Sequence, residues 1–363
     1  MASVEPSTRA RACPGPMTGS ARLLAACAHR PVDATPVWFM RQAGRSLPAY
    51  RRLRERHDLL TIARTPELAT AATLMPVDRL GVDAAVLFAD IMLPLTGMGV
   101  PFEIRPGTGP VVPDPIRSET DLRRLRVADP AEATPYVLET IRAVRRELGD
   151  RAALVGFAGG PFTLACYCVE GHAARDFPRA RGWLHADPVA FATLMTVLTD
   201  TTIRYCAAQV EAGAQVVQLF ESWAGVLAPA DFDRHVAPHL RRIVLALRGL
   251  VPVIVFATGA THLLGSLARL GSPGLSLDWR VPLDQGWRAV GHDRFVQGNL
   301  DPAVCLGPWS VVQPAAEAVL RLAGGRPGHI FNLGHGVDPA TDPDCLRRLV
   351  ELVHAAGPVG TPG

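Results

Sequence analysis

Arg41-Gln42-Ala43-Gly44-Arg45 sets two permanently charged guanidiniums around a small-residue tripeptide, directly behind the apolar run Pro36-Val37-Trp38-Phe39-Met40. Guanidinium forks match carboxylates geometrically. The Ala43-Gly44 pair lets main-chain N–H groups approach the same ligand closely. A polycarboxylate could be held this way at the mouth of a pocket; a surface loop with two solvated arginines would read the same in isolation. Asp90 follows Val86-Leu87-Phe88-Ala89 and precedes Ile91-Met92-Leu93, so it either faces a pocket or is a buried acceptor needing partners. Tyr167 stands behind Gly159-Gly160-Pro161 and alone reads as a core residue. Ser222 lacks the G-x-S-x-G elbow of a hydrolase nucleophile and reads as a donor to an anion. His335, between two glycines, is either a ligand group or a loop-stabilising donor.

Composition removes whole classes of chemistry. The chain has no lysine; all 37 basic residues are arginine. That excludes a lysine Schiff base and the lysine-dependent phosphate loop. The seven cysteines are scattered without a C-x-x-C pair, which points to reduced thiols in a cytoplasm. No His-x-Cys or H-E-x-x-H spacing supplies zinc ligands. A net charge of +3 is too small to argue for nucleic-acid or membrane binding, so any cationic patch that matters must be local. The longest strongly apolar stretch, 250–260, is too short to span a bilayer.

These residues need elements to position them. Short β-branched or aromatic runs recur at 36–40, 84–88, 154–157, 215–220, 253–256, 275–277, 295–296 and 329–331. Helix-like amphipathic stretches lie between them, at 121–125, 131–148, 188–212 and 231–248 among others. Near-continuous apolar strands separated by helices indicate a parallel sheet covered on both faces. Eight such runs predict an α/β fold of the (β/α)8 barrel type over residues 21–355, with loose tails at 1–20 and 356–363. A doubly wound open sheet is the competitor. In such barrels the reactive groups sit at the C-terminal rim of the strands. The residues just past each run are Arg41 and Arg45, Asp90, Gly159-Gly160, Glu221-Ser222, Thr258, Asp278-Trp279, Gln297 to Asn299, and Asn332 with His335.

Taken together, six blocks resemble the uroporphyrinogen decarboxylase family in order. They are 36–45 with Leu47-Pro48, Gly156-Phe157-Ala158-Gly159-Gly160-Pro161, and Gln218-Leu219-Phe220-Glu221-Ser222-Trp223-Ala224-Gly225. Leu277-Asp278-Trp279, Gln297-Gly298-Asn299-Leu300-Asp301-Pro302 and the segment 328–336 complete the set. The resemblance covers about residues 20–355.

It implies a homodimeric (β/α)8 enzyme that decarboxylates the four acetate arms of uroporphyrinogen III to methyls, giving coproporphyrinogen III, with no metal or organic cofactor. By the same resemblance Asp90 anchors the pyrrole N–H groups and stabilises the transition state, and Arg41 lies near the reacting acetate. Arg41, Gln42, Ala43, Gly44, Arg45, Asp90, Tyr167, Ser222 and His335 match the substrate-binding positions; Arg54 is a further contributor or part of a solvated helix face. Phe157 and Phe220 supply apolar wall or ordinary core. The chain departs from the family pattern at Ala49, Ala89, Cys166, Cys168, Thr258 and the loop after Gly171. Two rivals stand beside this reading: a methyltransferase with a zinc-bound thiolate, and a tetrapyrrole carrier without catalysis.

Overall fold

The computed structural model describes residues 15–360. Strands β1 (Ala84–Val86), β4 (Ala153–Gly159), β5 (Val216–Phe220), β6 (Val253–Phe256), β7 (Gly274–Ser276), β8 (Phe295–Gln297) and β9 (His329–Ile330) form one seven-stranded parallel sheet in that order. An antiparallel pair, β2 (Glu103–Arg105) and β3 (Gly109–Val111), lies apart from it and had no counterpart in the periodicity of the sequence.

The sheet is strongly curled. Gln297 Nε2 on β8 donates to Gln218 Oε1 on β5 at 3.0 Å and to Ser276 Oγ on β7 at 3.1 Å. Two strands lie between β5 and β8, which in a flat sheet would hold them about 14 Å apart. Side chains can meet only if the sheet bends round.

Segment 36–39 runs between the sheet's two edges. Phe331 N donates to Pro36 O at 2.8 Å and Trp38 N to Phe331 O at 3.3 Å, while Asp83 N donates to Val37 O at 2.8 Å on the other side. The sequence predicts a regular strand at 36–40; the structure has a single parallel bridge, Val37 to Phe331. The reason is where the N–H groups go. Pro36 has none, Val37 N donates to Asp83 Oδ2, Phe39 N to Gln42 Oε1 and Met40 N to Asn332 Oδ1. Side chains take the donors that a ladder would need.

The long helix expected at 188–212 is there as Pro188–Ala212, capped by the Asp187 carboxylate on Ala190 N. The stretch 131–148 breaks into Pro130–Ala133 and Pro135–Leu148 because Pro135 restricts Thr134 to a non-helical conformation. Pro238 has the same consequence upstream, where 231–248 divides into Pro229–His235 and Ala237–Leu247. The helix expected at 121–125 is one turn, Glu119–Leu122.

An ionic cluster centred on the buried Asp83 anchors the strand N-termini. Asp83 accepts from Arg22 Nη1 at 2.5 Å, from Val37 N at 2.7 Å, and meets His354 Nε2 at 2.8 Å. Arg22 also binds Asp33 at 2.7 Å. Helices Gly19–Cys27 and Pro343–Ala355 are thereby tied to the sheet. The first of them begins inside the expected N-terminal tail, whose residues 1–14 lie outside the described ones. Within the expected C-terminal tail Val359 bridges Val32, and 361–363 again lie outside the described residues. Among the described residues Cys27, Cys166, Cys168, Cys206, Cys305 and Cys345 are free thiols, and no helix is long and apolar enough to cross a membrane.

Candidate active site

Arg41 has φ of +60°, a left-handed conformation costing a non-glycine residue about 1 kcal/mol or more. Its neighbours hold it there. Gln42 N donates to Phe39 O at 3.0 Å, Gln42 Nε2 to Ala84 O at 2.8 Å, and Val337 N to Met40 O at 2.8 Å. Gly44 is required by close approach, since a Cβ at that position would fall 2.6 Å from Arg41 O. The loop therefore projects Arg41 outward while Gln42 is buried beneath it. Gln42 was expected among the substrate-binding positions; its N–H is already engaged and its amide braces the loop. The N–H groups of Ala43, Gly44 and Arg45 find no acceptor among the described residues.

Asp90 follows β1 and is half-buried. Its Oδ1 accepts from Met92 N at 2.8 Å, and its Oδ2 takes no hydrogen bond from any described residue. Burial raises its pKa above the usual carboxylate value, while the Met92 N–H and the Arg41 guanidinium pull it back down. Tyr167 sits on the helix Pro161–Glu170 with its phenol pushed up by burial and by the Asp90 charge. Asp90, Arg41 and Tyr167 thus share one electrostatic neighbourhood.

His335 extends that neighbourhood. Burial, then the guanidiniums of Arg41 and Arg280, push its pKa down to about 4, with Asp278 opposing. At neutral pH the ring is uncharged, a donor through one nitrogen and an acceptor through the other. Its ring lies 6.0 Å from that of Phe256, which meets Phe220 at 6.0 Å, which meets Phe157 at 5.5 Å. An aromatic wall made by the ends of β4, β5 and β6 leads from the histidine.

Ser222 is partly exposed just past β5, and its hydroxyl engages no described residue. The next residue ties it to Tyr167: Trp223 N donates to Thr163 Oγ1 at 3.2 Å, and the Trp223 ring packs 6.2 Å from that of Tyr167. Beneath both, the buried Glu221 carboxylate accepts from Thr163 N and Thr163 Oγ1 at 2.6 Å each and from Phe162 N at 3.2 Å. It caps the helix that carries Tyr167. Burial raises its pKa to about 7 against those hydrogen bonds.

Arg45 is exposed and acts on Tyr50 rather than on Asp90. Arg54 spends Nη1 on His57 O at 2.8 Å. Two residues that the sequence reading passed over belong here, Trp223 and Arg280. Arg280 was legible as the residue after Asp278-Trp279 at a strand end, but one arginine without a spacing partner carries no signal. Among the described residues no three His, Cys, Asp or Glu side chains gather in a metal-binding arrangement.

The fold and these side chains define an α/β protein that gathers arginines, a half-buried carboxylate and hydrogen-bond donors at the C-terminal ends of parallel strands. A family model described as uroporphyrinogen decarboxylase matches residues 18–356. The chain belongs to that family. A uroporphyrinogen decarboxylase from Roseiflexus sp. (strain RS-1) is 48% identical over 339 residues, covering 92% of this chain and 97% of the relative. Those from Sorangium cellulosum and Streptomyces coelicolor are 49% and 48% identical, covering 92% and 94% of this chain and 96% of each relative. Among solved structures, a methyltransferase from Methanosarcina mazei aligns with a TM-score of 0.75 at 22% identity, covering 94% of this chain and 99% of that one. At that identity the likeness is one of fold.

Proposed function

We propose that this chain decarboxylates the four acetate arms of uroporphyrinogen III to methyls, yielding coproporphyrinogen III. Identity of 48% over 92% of the chain to a curated uroporphyrinogen decarboxylase supports the activity. The observation that carries the mechanism is the Asp90 carboxylate, with one oxygen fixed by Met92 N and the other uncommitted, in reach of the Arg41 charge.

Losing carbon dioxide from an acetate arm leaves an electron pair that needs a sink. A proton added to the pyrrole ring makes an iminium-like cation. The bond to the carboxylate carbon then breaks, its electrons flow into the ring, and a proton on the resulting methylene gives the methyl. The ring returns its own proton, so one proton is consumed for each carbon dioxide released. The substrate is its own electron sink, and the reaction as written calls on no cofactor.

Asp90 accepts the pyrrole N–H groups and lowers the energy of the cation; preorganised groups of this kind are worth about 3 kcal/mol. Arg41 holds and orients the reacting acetate; its guanidinium is too weak an acid to supply the proton. Arg45, with the N–H groups of Ala43 and Gly44, collects outer carboxylates. Tyr167, Ser222 and neutral His335 donate hydrogen bonds to others, and Phe157 and Phe220 face the ring.

Segment 36–39 serves as an eighth strand that closes the sheet into a (β/α)8 barrel, supported by its hydrogen bonds to Phe331 on one side and Asp83 on the other. Family membership supports a cytoplasmic homodimer.

The test is anaerobic incubation of the chain with uroporphyrinogen III in the presence of a chelator, followed by oxidation and chromatography of the porphyrins. Seven-, six- and five-carboxylate intermediates should appear and give way to the tetracarboxylate. Octacarboxylate recovered unchanged with the protein bound to it would leave a carrier in place of an enzyme.

A further inference from the structure

Arg280 is held unusually well for a half-exposed arginine. Its Nη1 meets the buried Asp278 Oδ2 at 2.9 Å, with the Arg280 side chain 46% exposed and that of Asp278 3%. Its own N donates to Asp278 Oδ1 at 2.9 Å, and its Cζ lies 4.0 Å from the centre of the Trp279 ring. Stacking on an indole and pairing with a carboxylate fix the plane of the guanidinium. Asp278 in turn is fixed by Gly259 N at 2.5 Å, and its carbonyl accepts from Asn299 Nδ2 at 2.9 Å. The loop is also locked to the one bearing His335: a Cβ at Gly334 would fall 2.4 Å from Trp279 N. The Trp279 and His335 rings are 6.5 Å apart, and the Arg280 charge acts on His335 together with that of Arg41.

Only one edge of the fork is used. The Nε and Nη2 groups of Arg280 have no acceptor among the described residues. Asp278 weakens the net field of the pair, yet it leaves the second donor edge of a fixed guanidinium free, on the loop that is locked to the one bearing His335. A loop anchor alone would need the Asp278 contact and nothing more; the exposed second edge fits a second carboxylate.

We propose that Arg280 is a further substrate-binding residue, which takes a peripheral carboxylate of the macrocycle beside His335. This rests on the decarboxylase reading. The carboxylate belongs either to an acetate, which the reaction removes, or to a propionate, which it leaves.

The experiment compares Arg280→Gln and Arg280→Lys with the parent. Glutamine keeps a donor to Asp278 without the charge, and lysine keeps the charge without the fork. Steady-state kinetics with uroporphyrinogen III at low and high salt should show KM raised about tenfold in Arg280→Gln, with partial recovery in Arg280→Lys. The change in kcat should be far smaller, and kcat/KM in the glutamine variant should fall less steeply with salt. Equilibrium binding of coproporphyrinogen III, which keeps only propionates, separates the sources. Weakened binding there assigns a propionate, and unchanged binding with a raised KM for uroporphyrinogen assigns an acetate. A folded Arg280→Gln protein with parental KM and parental salt dependence overturns the proposal. Loss of turnover in Arg41→Ala in the same assay would show that the decarboxylase reading survives that result.

Discussion

Gly336 lies against the stem of Arg41: a methyl group on the glycine would fall 2.5 Å from Cδ, 2.8 Å from Cγ and 3.2 Å from Cβ of the arginine. Because the contact reaches back to Cβ, the arginine cannot clear it by swinging its far end. Gly336→Ala should displace the guanidinium and lower kcat/KM on the order of tenfold or more. Thermal unfolding should change by only a few degrees, because the glycine lies on a loop and not in the sheet. Parental kinetics from a folded variant would detach Arg41 from the reaction.

The Arg22, Asp33, Asp83 and His354 cluster predicts a different phenotype. Asp83→Ala leaves Arg22 short of a partner and strips Val37 N of its acceptor. Arg22 keeps Asp33, so the cost is chiefly that of the orphaned buried Val37 N–H and one lost charged hydrogen bond, about 1–3 kcal/mol. Urea unfolding should show a loss of that size, with kcat/KM per folded molecule close to parental, since the cluster lies at the far end of the strands from Asp90. A stability change under about 1 kcal/mol would refute the assignment.

Much of this was readable in the chain because strand ends announce themselves. The apolar runs at 215–220 and 253–256 match β5 and β6 to within one residue; Glu221 and Asp278 stand just past their strands, and Asp90 and His335 on the loops that follow theirs. The miss at 36–40 has a cause hidden from local sequence: side chains outside the run compete for its main-chain hydrogen bonds. Nothing within 36–40 says that Asp83, Gln42 and Asn332 will take its N–H groups. The same holds for Arg280, whose meaning depends on Asp278, Trp279 and a histidine from another loop. The strained Arg41 is also invisible in sequence, because only the surrounding bonds make that conformation persist.

Glu221 gives a prediction in pH. Its carboxyl titrates at its ordinary 4.5 in the unfolded chain and at about 7 when folded, chiefly because burial penalises the charge. Between those values the folded state binds the extra proton, so this group makes the protein less stable as pH rises from about 4.5 to 7. The full window corresponds to about 3 kcal/mol. Unfolding free energies across that range should decline more steeply for the parent than for Glu221→Gln, which has nothing to titrate there. Superimposable slopes would contradict the assignment.

The charge of Asp90 is central to the chemistry, and the direct measurement is turnover of uroporphyrinogen III by Asp90→Asn beside the parent. Asparagine keeps the shape and can still accept from Met92 N, but it cannot neutralise a cationic pyrrole. We expect kcat to fall about a hundredfold or more while the protein stays folded. An Asp90→Asn enzyme that releases carbon dioxide at near the parental rate would contradict it.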